Sequence, residues 1–383
     1  MSIERFELPY SDAAVEDLRD RLAQTRWPDE IPGTGWEYGA DLAYIRELCR
    51  TWREEFDWKA RIEELSALHH YRYATPELGV HFLHERGKGP APAPLLVTHG
   101  WPGSFLEMLR ILPRLTDPAR FGGDPADSFD VVVPSLPGFG FSDRPARRGM
   151  NVFAIADLWA GLMGELGYER FAVQGGDFGA GVNTALGLRH ADRLMGVHLN
   201  YIPGSYRPWL APGEQPSAVE RAFLADAAAW YEDHGAYAHV QRMEPQTLAY
   251  GLNDSPAGLA AWLVEKFRDW ADCGGDVESR FTRDELLANV TLYWMTGTIH
   301  SSCRLYFEGR KAPLQFQEHE RVEVPCGIAH FPKELPFPPR PWIERGYHVV
   351  RWSEMPRGGH FAAAEEPELL AADVAAFFRT LRQ

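Results

Sequence analysis

The segment Gly175-Gly176-Asp177-Phe178-Gly179 most constrains what this chain can become. It lies between the apolar run Phe171-Ala172-Val173 and a small-residue stretch, Ala180 to Leu188, that reads as a helix. The pattern G-x-nucleophile-x-G belongs at a tight strand-to-helix turn, where glycines remove Cβ clashes and one side chain is pushed outwards. Serine usually holds that place. A carboxylate there attacks a saturated carbon rather than an acyl group, forming an ester that water must then cleave. Alone the motif is weak, because an Asp at a helix start usually only caps it. Its weight comes from the segments around it.

A chain of 383 residues suits one large α/β domain carrying an insertion. Its 13 Trp, 21 Phe and 14 Tyr leave ample aromatic surface to line a cavity. The net charge of -15 opposes nucleic-acid backbones and anionic membrane faces, so an uncharged or cationic small substrate fits better. Cys49, Cys273, Cys303 and Cys326 are far apart and have no metal-ligand spacing, so they read as reduced, mostly buried thiols and no metal is expected. There is no basic-then-apolar leader and no apolar run of about 18 residues, so a cytoplasmic protein without a membrane partner is expected. The sequence leaves its oligomeric state open, a homo-oligomer included.

Residues 1–93 read as an amino-terminal extension, with helical patterns at Val15 to Thr25 and Ala40 to Phe56 and strands at Tyr71 to Tyr73 and Val80 to His84. Lys88 to Pro94 reads as a stiff hinge. Apolar strands then alternate with helices: Leu95 to Thr98, Val131 to Val133, Phe171 to Gln174 and Met195 to Leu199, the mark of a mostly parallel sheet buried on both faces. From 203 to 313 the pattern is helical, and strands resume at Val324 to Ala329 and Val349 to Trp352. The expected division is a core in two parts, 94–202 and 314–383, with a helical cap at 203–313 acting as a lid over the strand ends.

His99-Gly100-Trp101-Pro102-Gly103-Ser104 follows the first core strand, where one half of an oxyanion hole belongs. The backbone N–H groups of Trp101 and Phe178 are the expected donors, and Trp101–Pro102 is a candidate for the minority cis isomer. Arg357-Gly358-Gly359-His360-Phe361 follows the last strand, which supplies a base in the order nucleophile, acid, histidine. No aspartate occurs between Asp284 and Asp373, so a glutamate must orient His360. Glu334 is closest to the strand end and is favoured over Glu344 and Glu354. If the electrophile is an epoxide, its oxygen leaves as a strongly basic alkoxide and needs a proton donor. A phenol can serve, and the cap region holds seven tyrosines between Tyr201 and Tyr306 among which sequence physics does not choose.

Four ordered motifs, His99-Gly100-Trp101-Pro102, Gly175 to Gly179, Tyr293-Trp294-Met295-Thr296-Gly297-Thr298 and Arg357 to Phe361, together resemble the microsomal-type epoxide hydrolases, including the juvenile hormone epoxide hydrolases. The resemblance spans nearly the whole chain. It implies an α/β-hydrolase fold with a mostly parallel central sheet, a helical cap and an amino-terminal extension. It also implies a cofactor-free hydrolase that turns an epoxide and water into a vicinal diol, and the excess of 34 Arg over 5 Lys, which suggests a GC-rich genome, makes natural-product biosynthesis as open a setting as detoxification. Carried over by position, it makes Asp177 the nucleophile, His360 the water-activating base, Glu334 its acidic partner, and Tyr237 and Tyr306 the ring-opening phenols. The family usually has tryptophan after the nucleophile, where this chain has Phe178. A haloalkane dehalogenase and a non-catalytic binder of hydrophobic ligands are the rival readings, and Phe178 removes an indole that would hold a departing halide.

Overall fold

The computed structural model describes residues 1–382. Nine strands make one sheet: β1 (Ser2–Arg5), β2 (His70–Ala74), β3 (Gly79–Glu85), β4 (Ala93–Thr98), β5 (Phe129–Pro134), β6 (Phe171–Gly175), β7 (Leu194–Leu199), β8 (Val322–His330) and β9 (Tyr347–Glu354). Their order is β1-β2-β3-β5-β4-β6-β7-β8-β9. The pairings from β1 to β5 through β3 are antiparallel, and those from β5 to β9 are parallel. The continuous apolar runs follow from this arrangement, since Leu95, Leu96, Val97, Val131, Val132 and Val133 are all buried under helices.

The expected strands are all present, each a residue or more longer than its apolar run. Within residues 1–93 two elements were not expected. β1 carries only one half-buried apolar residue, Ile3, on an otherwise exposed edge, so it has almost no hydrophobic signal. The helix Trp58–Leu65 is short and starts on the Asp57 cap, whose side chain accepts from the Ala60 N–H. The Lys88–Pro94 run is not a hinge. Lys88 N–H bonds the Thr116 carbonyl at 2.8 Å, Gly89 N–H bonds Ser128 Oγ at 3.0 Å, and Pro94 already belongs to β4. The sheet thus runs without a break from the amino-terminal region into the core.

Between β7 and β8 the chain leaves the sheet for six helices, Ala218–His234, Ala236–Met243, Pro245–Leu252, Pro256–Trp270, Arg283–Thr296 and Ile299–Gly309. Ser217 with Glu220, and Thr282 with Glu285, close capping boxes that satisfy the first free N–H groups of two of them. The insertion lies over the carboxyl ends of the parallel strands, where the buried Tyr293 hydroxyl donates to the Gly103 carbonyl at 2.8 Å. No helix among the described residues is long and apolar enough to cross a membrane.

Candidate active site

β6 ends at Gly175 and a helix begins at Asp177, so the turn between them takes two residues. Asp177 has φ 44°, a left-handed backbone that costs a non-glycine residue of order 1–3 kcal/mol and lifts its carboxylate out of the helix line. The turn closes because its neighbours have no side chain. A Cβ on Gly179 would stand 2.0 Å from the Thr98 carbonyl oxygen, and one on Gly100 would stand 2.3 Å from Asp177 Oδ1. Trp101 N–H donates to Asp177 Oδ1 at 2.9 Å, and the Trp101–Pro102 peptide is cis. Phe178 N–H makes no hydrogen bond to the carboxylate in this arrangement, while its ring meets Tyr306 edge-on at 4.8 Å.

On the other side of Asp177 stands His360, its Nε2 at 3.4 Å from Asp177 Oδ2. Its Nδ1 bonds Glu334 Oε1 at 2.5 Å, and the same oxygen accepts the Leu335 N–H at 2.7 Å. Glu334 lies in the turn after β8. That turn is tied to the histidine loop by Lys333 N–H on the Gly358 carbonyl at 3.1 Å. The other two candidate glutamates are elsewhere: Glu344 pairs with Arg340, and Glu354 with His330 and Trp352. The Glu334 side chain is completely buried and its Oε2 has no partner. Burial by itself pushes the His360 imidazole down, but the Glu334 and Asp177 carboxylates outweigh it and hold its pKa well above the ordinary range.

Tyr237 and Tyr306 form the opposite wall. The Tyr237 ring stacks on Trp101 at 5.5 Å with planes 4° apart, and Tyr306 meets the same indole edge-on at 5.7 Å. The two phenol rings are 6.0 Å apart, nearly perpendicular. Burial first pushes both hydroxyls well above their ordinary pKa, helped at Tyr237 by the Asp177 charge and at Tyr306 by Tyr237 and then Asp177, so they stand as protonated donors. All seven residues singled out from the sequence therefore gather at one place.

Four further side chains belong to the surroundings, of which only Tyr201 was among the candidates, as one of seven cap phenols. Tyr201 and Trp270 pack edge-on against His360 at 5.5 and 5.2 Å, and the Trp270 carbonyl accepts the His360 N–H at 3.0 Å. Deep burial pushes the Glu107 carboxyl up to about 8, with His360 pulling it down and Asp177 adding to the rise. Glu365 is pushed to about 7 by burial and bonds the N–H groups of Asp272, Gly359 and Phe361. Proximity of Glu107 to the His99 motif was the one available hint.

Asp177, Phe178, Tyr201, Tyr237 and Tyr306 line a cavity of about 510 Å³. A cleft of similar volume, about 530 Å³, is lined by Arg144, Asn253 and His300 and contains none of these groups, so the chemistry belongs to the first. Among the described residues no group of His, Cys, Asp and Glu is placed to hold a metal ion.

The family model described as "Epoxide hydrolase N terminus" matches residues 3–108, and that of the "alpha/beta hydrolase fold" matches residues 93–243. A Stigmatella aurantiaca protein named "Putative epoxide hydrolase" is 42% identical over 98% of this chain and 85% of its own length. Rabbit (Oryctolagus cuniculus) "Epoxide hydrolase 1" is 36% identical over 98% of this chain and 88% of that protein. The crystal structure of juvenile hormone epoxide hydrolase from the silkworm Bombyx mori superposes with a TM-score of 0.88 at 31% identity, covering 100% of this chain and 95% of that one. With this agreement along the whole sequence and the whole fold, the chain belongs to the epoxide hydrolase family and is built on the α/β-hydrolase fold.

Proposed function

We propose that this enzyme converts an apolar aryl or alkyl epoxide to a vicinal diol through an ester on Asp177. Tyr237 and Tyr306 hold the epoxide oxygen and deliver a proton to it as Asp177 attacks a ring carbon from the opposite side. The observation that carries this reading is the placement of one carboxylate and two protonated phenols on facing walls of one cavity. Before the reaction, His360 lies between two carboxylates, which favour its charged form. Esterification removes the Asp177 charge, the imidazolium loses one of those partners, and its proton passes to the phenolate left by ring opening, which leaves His360 neutral. His360, held by Glu334, then takes a proton from water as the water oxygen bonds to the Asp177 carboxyl carbon. The Trp101 N–H already points at that carboxyl and Phe178 N–H is the second donor, so the two amides would share the developing oxyanion. Collapse expels the diol oxygen, which recovers the proton, and Asp177 is restored. The helical segment 203–313 is the lid in this scheme. A cytoplasmic setting fits four buried, unpaired cysteines.

The test uses His360→Gln with racemic styrene oxide. Intact-mass analysis should find protein heavier by one substrate, because alkylation proceeds and hydrolysis stalls. Unmodified protein after incubation under conditions where wild type forms diol would remove the covalent scheme.

A further inference from the structure

The cavity wall carries a charge imbalance for which the chemistry has no use. Asp177, at the floor, is its single carboxylate, while Arg207, Arg242 and Arg310 stand on the rest of the wall. None of the three forms an ion pair among the described residues. Arg207 spends one nitrogen on the Gly204 and Tyr206 carbonyls, Arg242 lies over the Tyr231 ring at 5.8 Å, and Arg310 lies over Phe307 and touches Met243 Sδ. In a chain of net charge -15, three unpaired cations on one cavity wall reverse the background.

Their spacing follows from the helices that carry the phenols. Arg310 is four residues after Tyr306, at the end of helix Ile299–Gly309, and so lies on the same face one turn further on. Arg242 is four residues after the lining residue Ala238 and five after Tyr237, in helix Ala236–Met243. The contact of Arg310 with Met243 brings the two helix ends together, so the two guanidinium groups face one volume. Arg310 and Arg207 are exposed and Arg242 half-buried, which places this volume at the solvent end of the cavity.

We propose that the substrate is an epoxide whose apolar body ends in an anionic group, a carboxylate gripped between Arg242 and Arg310 roughly 5–11 Å, or one to two helical turns, from the ring oxygen. Arg207 draws the anion in from solvent. The inference rests on the proposed reaction and deepens it by naming the substrate class. It also departs from what the net charge suggests, because a local cluster a few ångströms from the ligand outweighs charges screened over about 8–10 Å of salt solution.

The experiment compares 10,11-epoxyundecanoate with its methyl ester in wild type and in the Arg242→Gln/Arg310→Gln double variant. Wild type should prefer the acid by about tenfold or more in kcat/KM, mainly through KM, and added salt should erode that preference. In the double variant the ratio should fall to about one or below. Equal use of both compounds by wild type, or an unchanged ratio in the double variant, overturns the proposal. Turnover of styrene oxide but of neither long-chain compound overturns it as well. If styrene oxide also fails, the proposed reaction is at fault, and calorimetry of undecanoate against undecanol decides the arginine site separately. Tighter undecanoate binding that the double variant loses supports it, and equal binding of the two overturns it.

Discussion

The floor of the cavity and its roof are held by different physics. At the floor, Asp177, His360 and Glu334 come from the ends of three strands and are fixed by backbone geometry and short hydrogen bonds of 2.5 to 2.9 Å. At the roof, Tyr237 and Tyr306 come from helices and are fixed by ring packing on Trp101 and on each other, at centroid distances of 5.5 to 6.0 Å. Hydrogen bonds at turns define one geometry, whereas stacked and edge-on rings tolerate sliding. Reaction type is therefore expected to be encoded at the floor, and substrate range at the roof.

Predictions can break that contrast. Asp177→Ala should lower diol formation by about 10⁴-fold or more, measured with styrene oxide, since nothing else on the floor can form the ester. Residual turnover near the wild-type rate would mean that the floor does not hold the chemistry. Next, Tyr237→Phe/Tyr306→Phe should cost about 10²–10⁴-fold in single-turnover alkylation, and either single change clearly less, because the remaining phenol can still donate. Equal losses in single and double variants would show that the roof is as strictly fixed as the floor.

Stability sharpens the same contrast. Gly179→Ala should destabilise by about 2–4 kcal/mol in denaturant unfolding, because its Cβ would press the Thr98 backbone at 2.0 Å. A neutral result would mean that the elbow yields more readily than its contacts suggest. A pH-dependent effect belongs to Glu107. Its folded pKa is raised to about 8 from 4.5, so the folded state holds this proton more tightly, and the stabilisation is lost as pH rises from about 4.5 towards 8. Glu107→Gln should flatten that decline, read as melting temperature against pH. A decline as steep as in wild type would assign it to other groups, Glu365 first.

The same division explains what could be read in the sequence. Asp177, His360 and the Trp101 loop sit at turns whose close approaches demand glycine, so their addresses appear as short motifs. Glu334 was reachable because no aspartate competes and because its turn directly follows β8. The phenols have no such local mark: a tyrosine on a cap helix looks the same whether it faces a substrate or fills a core. Family resemblance singled out Tyr237 and Tyr306, and periodicity did not. Trp270 and Tyr201 were illegible for the same reason, since their role is defined by what lies across the cavity. β1 escaped notice because an exposed edge strand needs no apolar alternation. The arginine pair escaped it too, since total charge averages away what one wall concentrates.

The hydrogen bond from the His360 N–H to the Trp270 carbonyl joins the base to the helical insertion, and it is reinforced by Gly358 N–H on Asp272 and by Arg280 on Glu366. An insertion latched in this way cannot swing open like a jaw without pulling the imidazole out of line. The base is therefore aligned only while these bonds hold, which couples the position of the insertion to that of the imidazole.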